Sequence, residues 1–207
     1  TTGLATSWST VWTTYPYLYT KMRTDGSQVF AAAVTDYNEA VVVAFPASAG
    51  MNPHDWFVLV GGGKAARVYA LEVDGSTLYV GGDFATVGGQ GRFSVAALDV
   101  GTGAVSSWRP VLGVGDIHGH ATVGAIMPRG STVVIGGYFD FARNPVTLEW
   151  FDRDHLAELD AATAAPTAWN PSLAGGVSAL AEAGSVVYVG GSFASVNGQL
   201  RRNAAAI

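Results

Sequence analysis

The sequence predicts an all-β protein built from a tandem repeat of short antiparallel strands. Three observations carry that prediction. Val68-Tyr69-Ala70-Leu71 returns as Val123-Gly124-Ala125-Ile126 and as Val177-Ser178-Ala179-Leu180, steps of 55 and 54 residues. Thirteen residues after each start stands a glycine pair (Gly81-Gly82, Gly136-Gly137, Gly190-Gly191), and sixteen after each start a phenylalanine (Phe84, Phe139, Phe193). No window carries the 3.6-residue period of a helix. Short β-branched and aromatic runs alternate instead with glycine-rich turns.

The unit at 68–122 shows the plan most clearly. Val68–Val73, Thr77–Val80, Ser94–Val100 and Ala104–Trp108 read as four strands. Asp74-Gly75-Ser76, Gly88-Gly89 and Gly101-Thr102-Gly103 separate them, with glycine supplying the positive φ of tight turns. Four antiparallel strands repeated at this spacing are the pattern of a β-propeller blade. The unit at 123–176 follows the same plan. The unit at 177–207 stops after its third strand and lacks the outer one.

The start of the chain is less regular. Thr2–Trp8 matches Thr102–Trp108 residue for residue in type, so residues 1–8 read as a spare outer strand. Ser9–Gln28, with Trp12, Tyr15 and Tyr17, has no counterpart and reads as a connection. Residues 29–67 read as a degraded blade, because Val29 to Phe45 keeps the sixteen-residue spacing while Val42-Val43 replaces the glycine pair. The prediction is one propeller domain over 1–207 with four blades. Gly3–Trp8 is placed to complete the last blade of the same chain. A slice of a longer propeller, or a strand passed to a neighbouring subunit, fits the pattern equally.

Composition narrows the function. Charged residues are 13% and hydrophobic ones 49%, which indicates a packed domain and not a disordered one. The net charge of −5, with only Lys21 and Lys64 as lysines, argues against nucleic acid, which needs clustered cations. No apolar run approaches the roughly 18 residues of a membrane span. The absence of cysteine excludes disulfides, thiolate catalysis and cysteine-based zinc sites.

The repeat resembles the delta-60 β-propeller family. The pattern is carried by Tyr79-Val80-Gly81-Gly82-Asp83-Phe84 with Gln90 and Arg92, and by Tyr188-Val189-Gly190-Gly191-Ser192-Phe193 with Gln199 and Arg201. It covers 68–207 well and 29–67 poorly. The resemblance implies a bacterial surface, secreted or phage-tail protein, hence an extracellular, cell-surface or virion location. It transfers no catalytic residue.

Several motifs read as structure. Gly81-Gly82-Asp83-Phe84 is a strand end, and Gly61-Gly62-Gly63-Lys64 lacks the remainder of a phosphate loop. Arg92, Arg153 and Arg201 recur at one position per blade and suit carbonyl or carboxylate bridging.

The departures from the repeat are the candidate sites, since function collects on elaborated loops. Seven extra residues surround Asp116, His118 and His120, whose alternation offers a divalent-metal site. No other cofactor is expected. Six extra residues lie within Asn144–Asp154. There Trp150 and Phe151 offer a sugar-stacking platform, with Asp152, Asp154 and His155 beside it. The loop Pro46–Asp55, taken as the equivalent loop of the degraded blade, adds His54 and then Trp56. Topology puts these loops on one face.

With no nucleophile elbow and no metalloprotease motif, the sequence predicts a non-enzymatic binding or structural module that contacts a surface glycan or protein partner. Two other readings stay open. One is a polysaccharide hydrolase or lyase using carboxylates on that face. The other is a purely structural subunit assembling by exchange of Gly3–Trp8.

Overall fold

The structure is a computed structural model that describes residues 18–35, 39–48, 55–62, 66–115 and 121–207. Among these the protein is all-β, in small antiparallel sheets. The first unit comprises β1 (Leu18–Thr24), β2 (Gln28–Val34), β3 (Ala40–Pro46) and β4 (Trp56–Gly61). The second has β5 (Arg67–Asp74), β6 (Thr77–Asp83), the short pair β7 (Thr86–Val87) and β8 (Gln90–Gly91), and β9 (Val95–Asp99). A connecting strand, β10 (Val111–Gly113), leads to the third. That unit has β11 (Thr122–Arg129), β12 (Thr132–Tyr138), β13 (Phe141–Arg143), β14 (Trp150–Asp152) and β15 (Leu156–Asp160). The fourth has β16 (Leu173–Ala183), β17 (Val186–Val196), β18 (Gln199–Leu200) and β19 (Ala204–Ala206).

Every unit opens with a hairpin turning on a Gly-Ser pair: Gly26-Ser27, Gly75-Ser76, Gly130-Ser131 and Gly184-Ser185. All four glycines have positive φ, which a tight hairpin loop needs and a side chain would strain. Every first strand also carries a bulge at an equivalent place, Thr20, Tyr69, Gly124 and Ser178, and β16 has a second at Ala174. A bulge leaves one residue outside the ladder and turns its side chain out of register.

The first strands stand side by side, β1 beside β5, β5 beside β11 and β11 beside β16. Apolar faces meet between successive sheets. Phe30, Val42 and Trp56 pack on Leu71, Val80 and Leu98. Tyr79 and Val95 pack on Val123, Ile135 and Leu159. Val134 and Leu156 pack on Val177 and Val189. Each fully buried side chain of this size contributes about 1.5–3 kcal/mol, so sheet-to-sheet packing is the main stabilising term.

This stacking explains the glycine pairs. A Cβ on Gly81 would lie 2.7 Å from Val123 Cγ1, and one on Gly136 2.5 Å from Val177 Cγ1. The first glycine thus receives a valine of the next sheet. A Cβ on the second glycine, Gly82 or Gly137, would overlap a carbonyl of its own first strand, Arg67 O or Thr122 O.

The arginines act within a unit. Arg92 donates to Gly91 O at 2.8 Å and Ser106 O at 2.6 Å, and Arg153 donates to Asp152 O and Thr167 O. Each ties its second-to-third loop to the segment after the third strand. Burial lowers the pKa of both guanidiniums. The neighbouring Arg109 lowers that of Arg92 further, whereas Asp152 partly opposes the effect at Arg153.

Three expectations need correction. β1 lies inside the stretch assigned to a connection, and it is the first strand of the first unit. Its Gly26-Ser27 turn and its bulge at Thr20 match those of β5 in register, at a step of 49 residues. β2 is therefore equivalent to β6, and Pro46–Asp55 joins the third and fourth strands. It is therefore not the equivalent of the loop that carries the second insertion. In the second and third units the outer strand is reduced to the isolated bridges Leu98↔Val105 and Leu159↔Pro166, whereas β4 pairs fully with β3. Residues 1–17, including the Gly3–Trp8 strand, lie outside the described residues.

Candidate functional site

The bulges build a cleft. Tyr69, Gly124 and Ser178, the bulged residues of β5, β11 and β16, all line one open space of about 620 Å³. Lys21 of β1, Thr122 of β11, Tyr138 at the end of β12 and Ser192 of β17 complete its polar and aromatic lining. The cleft therefore sits where the first strands converge, at the end from which the second-to-third loops leave. Tyr138 is 56% exposed, and the ring of His155 stacks against it with centroids 5.3 Å apart. Lys21 is the one cation on this lining, and no carboxylate is among the described residues that form it.

His155 reaches this place through its backbone. Ser94, His155 and Asn203 occupy the same position in three successive units, and each has φ near +65°. Asn and His tolerate this left-handed conformation better than most residues. In the second unit the Ser94 hydroxyl donates to Ala121 O. His155 instead lays its ring on Tyr138 and keeps a buried Nδ1 with no hydrogen-bond partner among the described residues.

The strands that precede the two insertions pair, as β4 and β7 do where there is no insertion. β10, before the first, pairs with β13, before the second, and Gly115 N donates to Asp140 Oδ2 at 2.7 Å. β13 and β14 form an extended hairpin whose turn is held by Asn144 Oδ1, which accepts from the amides of Val146 and Thr147.

The predicted stacking platform does not form as one surface. Trp150 and Phe151 are consecutive in β14 and so point to opposite sides. Trp150, 38% exposed, carries the Arg143 guanidinium at 5.5 Å from its ring centre. Phe151 lies 5.6 Å from the buried guanidinium of Arg153. Asp152 is exposed at the outer end of β14, and Asp154 accepts a 2.6 Å hydrogen bond from the Ser172 hydroxyl. Trp56 is not a surface residue. It is 8% exposed, its indole donates to Val100 O at 2.8 Å, and it packs over Gly103 in the core between the first two sheets. His54, Asp116, His118 and His120 lie outside the described residues.

No family model and no curated protein matches this chain.

Tyr69, Tyr138, Lys21, Ser178 and Ser192 were not singled out by sequence. The signal lay inside the repeat. Tyr69, Gly124 and Ser178 are the variable letter of the Val-x-Ala-Leu motif, and Asp83, Tyr138 and Ser192 are the variable letter after the glycine pair. A position that varies between fixed neighbours is free of the fold's demands and open to a ligand's.

Proposed function

We propose that this protein is a non-enzymatic β-propeller module that binds a glycan in the cleft at the convergence of its first strands. Four sheets with neighbouring first strands support the propeller reading. The delta-60 resemblance of 68–207 agrees with it and supplies the extracellular, cell-surface or virion setting.

The observation that carries the binding reading is the composition of the cleft. Tyr69 and Tyr138 present partly exposed rings, on which the C–H faces of a pyranose stack. Ser178, Ser192 and the Lys21 ammonium supply hydroxyl-directed hydrogen bonds. A concave, mostly apolar surface with a few polar groups is the usual form of a small-ligand site.

A glycan array probed with the intact protein tests this. Binding to defined glycans that disappears with Tyr138→Ala supports the cleft. Binding retained in both Tyr69→Ala and Tyr138→Ala places the ligand elsewhere, and an array with no bound glycan removes the ligand class.

A further inference from the structure

The lysine of the cleft stands where the repeat places alanine. After the shared bulge each first strand resumes its ladder at one fixed position. That position is Ala70, Ala125 and Ala179 in the second, third and fourth units, and Lys21 in the first. Ala70 and Ala125 are buried, whereas Lys21 is exposed. The fold asks for a small apolar side chain here, so a lysine at this place answers a demand other than the repeat's.

Charge around it is one-sided. Lys21 lines the cleft of about 620 Å³ and also a narrower space of about 180 Å³ that continues from it along the first strands. Tyr69 and Ser178 line both. No carboxylate is among the described residues that form the cleft. Glu72 lines the narrower space, and its Oε1 accepts from Arg23 Nε at 3.0 Å and from Arg23 Nη2 at 2.5 Å. Arg23 therefore neutralises that acid, and the Lys21 ammonium is the charge the cleft presents. Thr20 Oγ1, within 3.5 Å of Val68 O, ties β1 to β5 and sets Lys21 beside Tyr69.

We propose that the glycan taken by the cleft carries a carboxylate, as a uronic or a sialic acid does, and that Lys21 receives it. This rests on the glycan reading of the cleft. The acidic sugar stacks on Tyr69, which shares both spaces with Lys21. Tyr138 and Ser192 line the wider space alone and take the neutral part. A charge-assisted hydrogen bond from ammonium to carboxylate is shorter and stronger than one to a neutral hydroxyl. The chain as a whole carries a net charge of −5, which repels extended polyanions at long range and confines attraction to this cleft. That favours a single carboxylate on a short glycan over a densely sulfated chain.

Matched probes titrated into the intact protein test this. They are sialyllactose with lactose, a glucuronic-acid-terminated disaccharide with its carboxyl-reduced form, and sulfated lactose. The parent is expected to bind the acidic member of at least one pair about fivefold or more tighter than its neutral counterpart. Lys21→Ala installs the residue of the other three units and is expected to abolish that preference, whereas Lys21→Arg retains it. Added salt should shrink the preference, since a partly exposed ion pair is screened. Equal affinity for both members of each pair, lost with Tyr138→Ala, overturns the carboxylate and leaves the glycan site standing. A preference that survives Lys21→Ala overturns the role of Lys21. Tightest binding to sulfated lactose overturns the carboxylate as the recognised group. Binding of none of these probes also overturns the proposal, and the glycan array then decides the glycan reading separately.

Discussion

Gly136 and Val177 fit as socket and knob across the third and fourth sheets, with no room for a Cβ between them. The same relation holds for Gly81 and Val123. Gly136→Ala is expected to destabilise the protein by about 1–3 kcal/mol, the usual cost of overpacking. Val177→Ala in the same molecule should recover part of that loss, because it opens the space the new methyl needs. Chemical denaturation of the two single variants and the double variant checks this. Simple additivity would mean that the sheets do not meet there.

Arg153 holds Asp152 O and Thr167 O from a buried position. Arg153→Ala leaves a carbonyl unpaired and should cost about 1–3 kcal/mol. Arg153→Lys should not restore stability, since a point ammonium cannot serve two divergent carbonyls as the planar guanidinium does. Equilibrium unfolding of both variants is the check.

Trp56 and Trp150 separate core from surface. Trp56→Ala is expected to cost about 3–5 kcal/mol, through the cavity it opens between the first two sheets. Trp150→Ala, at the exposed hairpin, should stay within about 0.5 kcal/mol of the parent. Thermal melts of the two variants suffice.

Asp99 and Asp160 cap equivalent turns. Asp99 Oδ1 accepts from the hydroxyl and amide of Thr102, and Asp160 Oδ1 from the hydroxyl and amide of Thr163. These bonds, the threonine hydroxyl foremost, hold both carboxyls below the usual carboxylate range. A lowered folded-state pKa stabilises the fold above the unfolded-state pKa, and that stability is lost as pH falls through the folded value. Thr163→Ala should therefore raise the Asp160 pKa toward its ordinary value and bring acid unfolding to higher pH. A carboxyl-resolved NMR titration measures the first effect directly.

The sequence made the second, third and fourth units legible because their fixed letters answer fixed contacts. The glycine pairs of the second and third units take a valine and a carbonyl, and Phe84, Phe139 and Phe193 anchor the strand ends in the core. The pairing of β10 with β13 belongs to the repeat as well, since β4 and β7 pair in the same way. The first unit was not. Its strands Gln28–Val34 and Ala40–Pro46 are uniformly small and apolar, so a sixteen-residue spacing fits them in more than one register. The decisive mark was the Gly26-Ser27 turn, shared by all four units. Trp56 was misplaced with that register, as an aromatic following an irregular loop. The cleft was hidden because a bulge, which decides that Tyr69 and Ser178 face it, leaves no compositional trace.

Calorimetric titration of an array-identified glycan into three proteins tests the cleft most directly. The proteins are the parent, the double variant Tyr69→Ala/Tyr138→Ala, and Trp150→Ala. The cleft assignment predicts that the double variant loses about tenfold or more in affinity, equivalent to at least ~1.4 kcal/mol, while Trp150→Ala binds like the parent. Parent-like affinity in the tyrosine variant, or loss confined to Trp150→Ala, would contradict it and move the site to the inserted hairpin.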